Sequence, residues 1–164
     1  MRQTIADLSG VKLERVAITG MQATFSVVVD GNEIGKLSFG KYYEPALAVI
    51  DSYVALWAGP TLCVIDRHHS TMQCIDRDDE THCVHAFESA WIVEGELNVD
   101  LFDPQNRTTL ATYSHNEVIT SSFVADGLVH VEDFAGATVT LDPRRSLQVV
   151  GRGSKGEEFD ARSH

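Results

Sequence analysis

No stretch of this 164-residue chain approaches the roughly 18 consecutive apolar residues of a membrane-spanning helix, so none of it reads as a helical membrane span. Cysteine is scarce: Cys63, Cys74 and Cys83 cannot all pair with one another, and free thiols in a reducing, cytoplasmic compartment are expected. The first ten residues carry Asp7 where a secretory signal would have its apolar centre, and secretion by that route is not expected.

Catalytic motifs are missing as well. There is no Gly-x-Ser-x-Gly elbow and no glycine-rich phosphate loop leading from a strand into a helix. Cys-x-x-Cys and His-Glu-x-x-His are also absent. The cysteines lie among apolar or acidic neighbours, which disfavour a reactive thiolate. The reading leans away from an enzyme, with no cofactor and no metal.

What is present is a chain of one-domain length whose apolar share, 43%, suffices for a sizeable core. A phrase repeats three times, at Ser52–Asp66, Ser89–Asp103 and Ser121–Asp133. Each copy reads as strand, glycine-centred turn, strand, then an Asp that opens the next turn by bonding its own backbone. Trp57, Trp91 and Phe123 fall at nearly matching points and are expected to anchor the core of each copy.

Short strand-like runs follow one another along the chain. Examples are Val16–Ile18, Ala23–Val29, Ile34–Phe39, Leu97–Phe102, Glu117–Thr120, Phe123–Ala125 and Leu147–Val150. Asp30-Gly31-Asn32 is a hairpin signal because such turns need positive φ. The segment 45–58 has two readings: a helix opened by Pro45 and ended by Gly59, or two strands, Ala46–Ile50 and Val54–Trp57. Alignment with the later copies favours strands. The fold expected is all-β, an antiparallel meander of repeated hairpins over residues 1–150 as a sandwich or curled sheet, followed by a flexible, glycine-rich tail at 151–164. Across 52 to about 141 the repeated unit also resembles a blade of a β-propeller, although the Trp-Asp signature dipeptide is missing. That resemblance implies propeller-like blades as the alternative architecture.

Charge is uneven. Of the formal net charge of −11, residues 76–103 supply −8, from nine acids against one base. Asp76, Asp78, Asp79, Glu80, Glu88, Glu94, Glu96 and Asp100 make up most of it. Such a concentration draws in a positive partner and repels nucleic acid and anionic membranes, whereas a merely solvated surface would only aid solubility. Asp76-Arg-Asp-Asp-Glu80 spaces oxygens like a calcium loop, but Thr81 and Phe87 stand where Gly and a bidentate Glu are required. A zinc set of Cys74, Cys83, His85 and His68 or His69 has no paired spacing behind it. Glu94 and Glu96 as an acid–base pair flank a turn, where exposed acids are commonplace.

The expected function is therefore a non-enzymatic binding protein, of inhibitor or immunity type, that docks on a basic protein. Asp76, Asp78, Asp79, Glu80, Glu94 and Glu96 are its partner-binding residues. The alternative is a small-molecule binder or small enzyme with a pocket lined by His68, His69, His82 or His85. Open β edges also allow copies of the chain to associate as a homo-oligomer.

Overall fold

The computed structural model describes residues 1–154, in which sixteen strands and one 3-10 turn leave no α-helix among the described residues. The strands form four separate four-stranded sheets. Sheet 1 holds β1 (Gln3–Leu8), β2 (Val11–Thr19), β3 (Gln22–Val29) and β4 (Asn32–Gly40). Sheet 2 holds β5 (Ala46–Ile50), β6 (Tyr53–Ala58), β7 (Thr61–Asp66) and β8 (Thr71–Asp76). Sheet 3 holds β9 (Thr81–Phe87), β10 (Ala90–Gly95), β11 (Asn98–Asp103) and β12 (Thr108–Ser114). Sheet 4 holds β13 (Ile119–Ala125), β14 (Leu128–Asp133), β15 (Ala137–Asp142) and β16 (Gln148–Ser154). In each sheet the strands lie side by side in chain order. The all-β hairpin meander is as expected, in its blade form.

Local chemistry sets the turns. The first and second strands of every sheet are joined by two residues, and the first of these, Ser9, Asp51, Glu88 or Asp126, has φ between 49° and 55°. That is the left-handed conformation a twisted two-residue hairpin requires. At Asp51 it breaks the chain between β5 and β6, so residues 45–58 are two strands. Gly10, which follows Ser9, has φ +80°, a backbone conformation that favours glycine, and a Cβ there would also push Asp30 Oδ1, 2.5 Å away, aside.

The repeat has a different register from the one read in the sequence. Ser52–Asp66 and Ser89–Asp103 are hairpins of second and third strands, but Ser121–Asp133 is the first-to-second hairpin of sheet 4. A four-stranded meander contains three similar hairpins, and the third copy is matched one strand early. Asp142, at the end of β15, is the counterpart of Asp66 and Asp103. The offset explains the aromatic residues: Trp57 and Trp91 lie on second strands and are buried, whereas Phe123 lies on a first strand and is 56% exposed. Phe123 is therefore not a core anchor.

β1 was not anticipated, and β2 extends well beyond Val16–Ile18. The runs at Glu117–Thr120 and Phe123–Ala125 are bridged by one strand, β13, with an irregularity between Ile119 and Ser121 that keeps Ser122 in the ladder. β16 carries the chain in strand pairing to Ser154, through the first residues expected as tail; the rest of 151–164 lies outside the described residues.

Two compact units divide the chain. One comprises residues 1–84 with 104–107, and the other comprises 85–103 with 108–164. In the first, Val11, Leu13, Phe25 and Val27 of sheet 1 share a core with Val54, Leu56, Cys63 and Ile65 of sheet 2. Each side chain buried there contributes about 1.5–3 kcal/mol. Cys63 and Cys74 face each other across β7 and β8 and form a disulfide, which overturns the free-thiol expectation for these two; Cys83 remains free. In the second unit, Ile92, Val99 and Leu101 pack with Ile119, Val129, Val131, Val139 and Leu141.

Candidate functional site

The acidic run Asp76–Glu80 joins β8 to β9 and is tied down within the first unit. The Arg77 amide donates to the Pro60 carbonyl and the Thr81 amide to the Gly59 carbonyl, each at 2.8 Å, so the link lies against the β6–β7 turn. Arg77 also donates from its guanidinium to the Glu80 carbonyl at 3.2 Å and to Thr81 Oγ1 at 2.7 Å. The Asp79 carboxylate accepts the Glu80 amide at 2.9 Å, Asp76 accepts Thr61 Oγ1 at 3.0 Å, and Glu80 has His82 at 3.8 Å. Asp76 and Asp78 are exposed; Asp79 and Glu80 are half-buried. The link presents four carboxylates on a braced backbone, with one arginine at its root.

The remaining sequence-selected acids belong to the second unit. Glu96 is exposed at the β10–β11 turn. Glu94 is not a surface residue: it is 5% exposed, which removes it from any partner-facing set and from pairing with Glu96 as a solvent-accessible acid–base couple. It shares the inward face of β10 with Ile92, and a short hydrogen bond from Ser122 Oγ meets its carboxylate. Ser122 has one proton and gives it to Glu94, so it accepts from His85 Nε2, 3.0 Å away. With its proton on Nε2, His85 cannot take one from Ser122. The order His, Ser, Glu therefore differs from that of a nucleophilic triad, in which the base lies between the hydroxyl and the acid. Asp100 is likewise buried and accepts from Thr112 Oγ1 at 2.7 Å.

The other histidines are dispersed among structural tasks. His69 contacts the Asp66 carboxylate at 2.7 Å, and the backbone amides of His68 and His69 donate to the same side chain. Burial pushes the Asp66 carboxyl up, but these bonds outweigh it and hold its pKa below the ordinary 3.8. His68 lines an open hollow of about 390 Å³ with Asp30, Asp51, Ser52 and Arg67; His69 and His82 do not join it. Cys74 is spent in the disulfide, so the zinc set considered above cannot assemble.

The His115 side chain is only 9% exposed and lies in the second unit. Its Nε2 donates to Asp133 Oδ2 at 2.8 Å, and its Nδ1 accepts from Tyr113 Oη at 2.8 Å, the tautomer these partners require. Asp133 Oδ1 accepts the Ala137 amide at 2.8 Å. The His115 bond outweighs burial and holds the Asp133 carboxyl below its ordinary 3.8. The Asp that closes the third copy thus bonds the backbone of its own turn, as its recurrence implied, and also holds a histidine that spacing did not reveal.

A groove of about 480 Å³ runs over the face of sheet 4 turned away from the core. Phe123 stacks on His130 with ring centroids 4.8 Å apart and planes 18° apart, and His130 Nδ1 lies 3.3 Å from Thr140 Oγ1. Glu132, Val150 and Gly151 are also among its lining residues. The sequence signal for this face was Phe123, once placed on a first strand.

No family model and no curated protein matches the sequence. Solved structures do match in fold. BamB from Moraxella catarrhalis superposes with a TM-score of 0.65 at 13% identity, over 93% of this chain and 50% of its own. Saccharomyces cerevisiae Sqt1 gives 0.61 at 10% identity, over 93% and 48%. A chain of a mitotic checkpoint complex gives 0.52 at 19% identity, over 61% and 34%. The fold is of the β-propeller type. This chain spans about half the length of BamB and Sqt1.

Proposed function

We propose that this chain is a non-enzymatic protein-binding module that docks on a basic partner through the braced acidic link Asp76–Glu80. The observation that carries the reading is the anchoring of that link. Arg77 and the Gly59–Pro60 carbonyls fix its backbone, so binding costs little ordering entropy, and Asp76 and Asp78 stand in solvent. Propeller-type folds also include a chain of a named multiprotein complex, which supports a protein as the partner. Within this class an inhibitor or immunity-type role, neutralising a basic protein, suits the charge best.

Affinity capture at low and moderate salt, with the parent beside a variant carrying Asp76→Lys, Asp78→Lys, Asp79→Lys and Glu80→Lys, tests the reading. One basic protein held by the parent at low salt, and lost both on raising salt and in the folded variant, is the expected result. Equal retention by the variant would sink it.

A further inference from the structure

The acidic link is not the only feature held by the β6–β7 turn. Tyr43, in the connection between β4 and β5, is seated on the same turn. A Cβ at Gly59 would lie 2.7 Å from Cζ of Tyr43 and 2.8 Å from Cε1 and Cε2, nearly equal distances that put the ring flat over that glycine. The ring also meets Gly40, where a Cβ would lie 3.2 Å from its Cδ2, and the Tyr43 amide donates to the Gly40 carbonyl at 3.0 Å. The carbonyls of Gly59 and Pro60 meanwhile accept from Thr81 and Arg77 at the two ends of the link. One turn of the first unit thus fixes both an aromatic ring and a run of carboxylates.

We propose that the basic segment docking here is recognised through arginine, whose guanidinium stacks on Tyr43 while neighbouring bases pair with Asp76–Glu80. The inference rests on the docking reading above and names the chemistry of what docks. With one ring face on Gly59, the 40% of Tyr43 that solvent reaches lies away from the turn. A planar guanidinium lies flat on such a face and keeps its N–H groups for carboxylates, whereas an ammonium is a compact, strongly hydrated point charge. Glu44, next in the chain, is exposed and adds a further carboxylate to this connection.

The chain itself contains a contact of this kind. Lys41 Nζ lies 5.2 Å from the centroid of the Tyr42 ring, so that ring already has a cation. Among the described residues no cation is placed over Tyr43. Arg77, at the root of the link, is directed to the Glu80 carbonyl and Thr81 Oγ1 instead. Charge complementarity selects the occupant: Glu44, Asp76, Asp78, Asp79 and Glu80 share these two connections with a ring that has no cation of its own. A neutral apolar segment would desolvate the carboxylates without adding partners. A segment whose only bases are lysines would use the carboxylates and leave the ring face unused.

Fluorescence anisotropy of the 164-residue chain with two labelled peptides of equal length and charge tests the proposal, one alternating arginine with glycine and the other lysine with glycine. The arginine peptide should bind at least about threefold more tightly, the scale of one exposed cation–π contact, and both should weaken as salt rises. Tyr43→Leu should bring the arginine peptide down to the level of the lysine peptide and leave the lysine peptide unchanged. Tyr43→Phe, which keeps the ring, should retain the preference, and so should Tyr42→Leu, because that ring serves Lys41. Equal affinity for the two peptides overturns the proposal, as does a preference that survives Tyr43→Leu in a folded variant. If both peptides are then still lost by the variant with lysine at 76, 78, 79 and 80, the docking reading stands and only the choice of arginine falls. Binding of neither peptide also overturns the proposal, and the capture experiment then decides the docking reading separately.

Discussion

The two compact units repeat one strand pattern but secure it with different chemistry. The first has a core of aliphatic and aromatic side chains fastened by a covalent bond between β7 and β8. The second has no disulfide among its described residues and instead buries Glu94, Asp100 and Asp133 beside an apolar core, each meeting hydrogen-bond donors. The backbone register demands only that alternate residues face inward. What occupies those positions is open to sequence, provided that every buried polar atom finds a partner.

The largest test of that equivalence is truncation of matched core residues. Leu56→Ala in the first unit and Leu141→Ala in the second each remove a fully buried side chain and should cost about 2–5 kcal/mol by chemical denaturation. If one cost far less, the two cores would not be equally well packed.

Reduction separates the units next. Cys63 and Cys74 are 11 residues apart in sequence, and opening their bond should cost about 2–3 kcal/mol by the loop-entropy argument. Hydrogen exchange should localise the loss to β5–β8 and leave β13–β16 unchanged. The Cys63→Ala, Cys74→Ala variant should be as stable with reductant as without it.

Acid should act in the other unit. The Asp133 carboxyl is held below its ordinary value in the folded chain, so its contribution is present above about pH 4 and lost as pH falls through the folded pKa. Protection of β14 and β15 should therefore decline as pH falls below about 4. Asp133→Asn, which keeps an acceptor for His115, should flatten that decline. Asp66 and Glu33 in the first unit shift in the same direction, but at a turn and on an outer face, where solvent screens them.

The smallest effect belongs to the charged outer face of sheet 1. Arg2→Ala removes two solvent-exposed ion pairs and should change stability by under about 1 kcal/mol, an effect that salt diminishes.

Strand identity was largely legible because turn chemistry is local: Asp30-Gly31 and Asp51 announce the ends of strands by the backbone conformation they tolerate. Register was harder, since hairpins within one meander resemble one another, and the third copy was matched one strand early. The disulfide was legible in principle. Cys63 lies five residues before His68 and Cys74 five after His69, so a turn centred on those histidines puts the cysteines opposite each other. The burial of Glu94 was concealed by acidic neighbours; only its place on the Ile92 face of β10 reveals it. No local pattern connects His115 to Asp133, because eighteen residues and a whole hairpin separate them.

Because every described strand pairs with a neighbour in sequence, no ladder among the described residues has to wait for a distant part of the chain. Each sheet can close as soon as its own four strands have left the ribosome, and the search for partners is short. Only the facing of one sheet on the next must await more polypeptide. Synthesis should thus proceed as a series of nearly independent closures, with the exposed apolar side of the newest sheet as the moment of greatest risk.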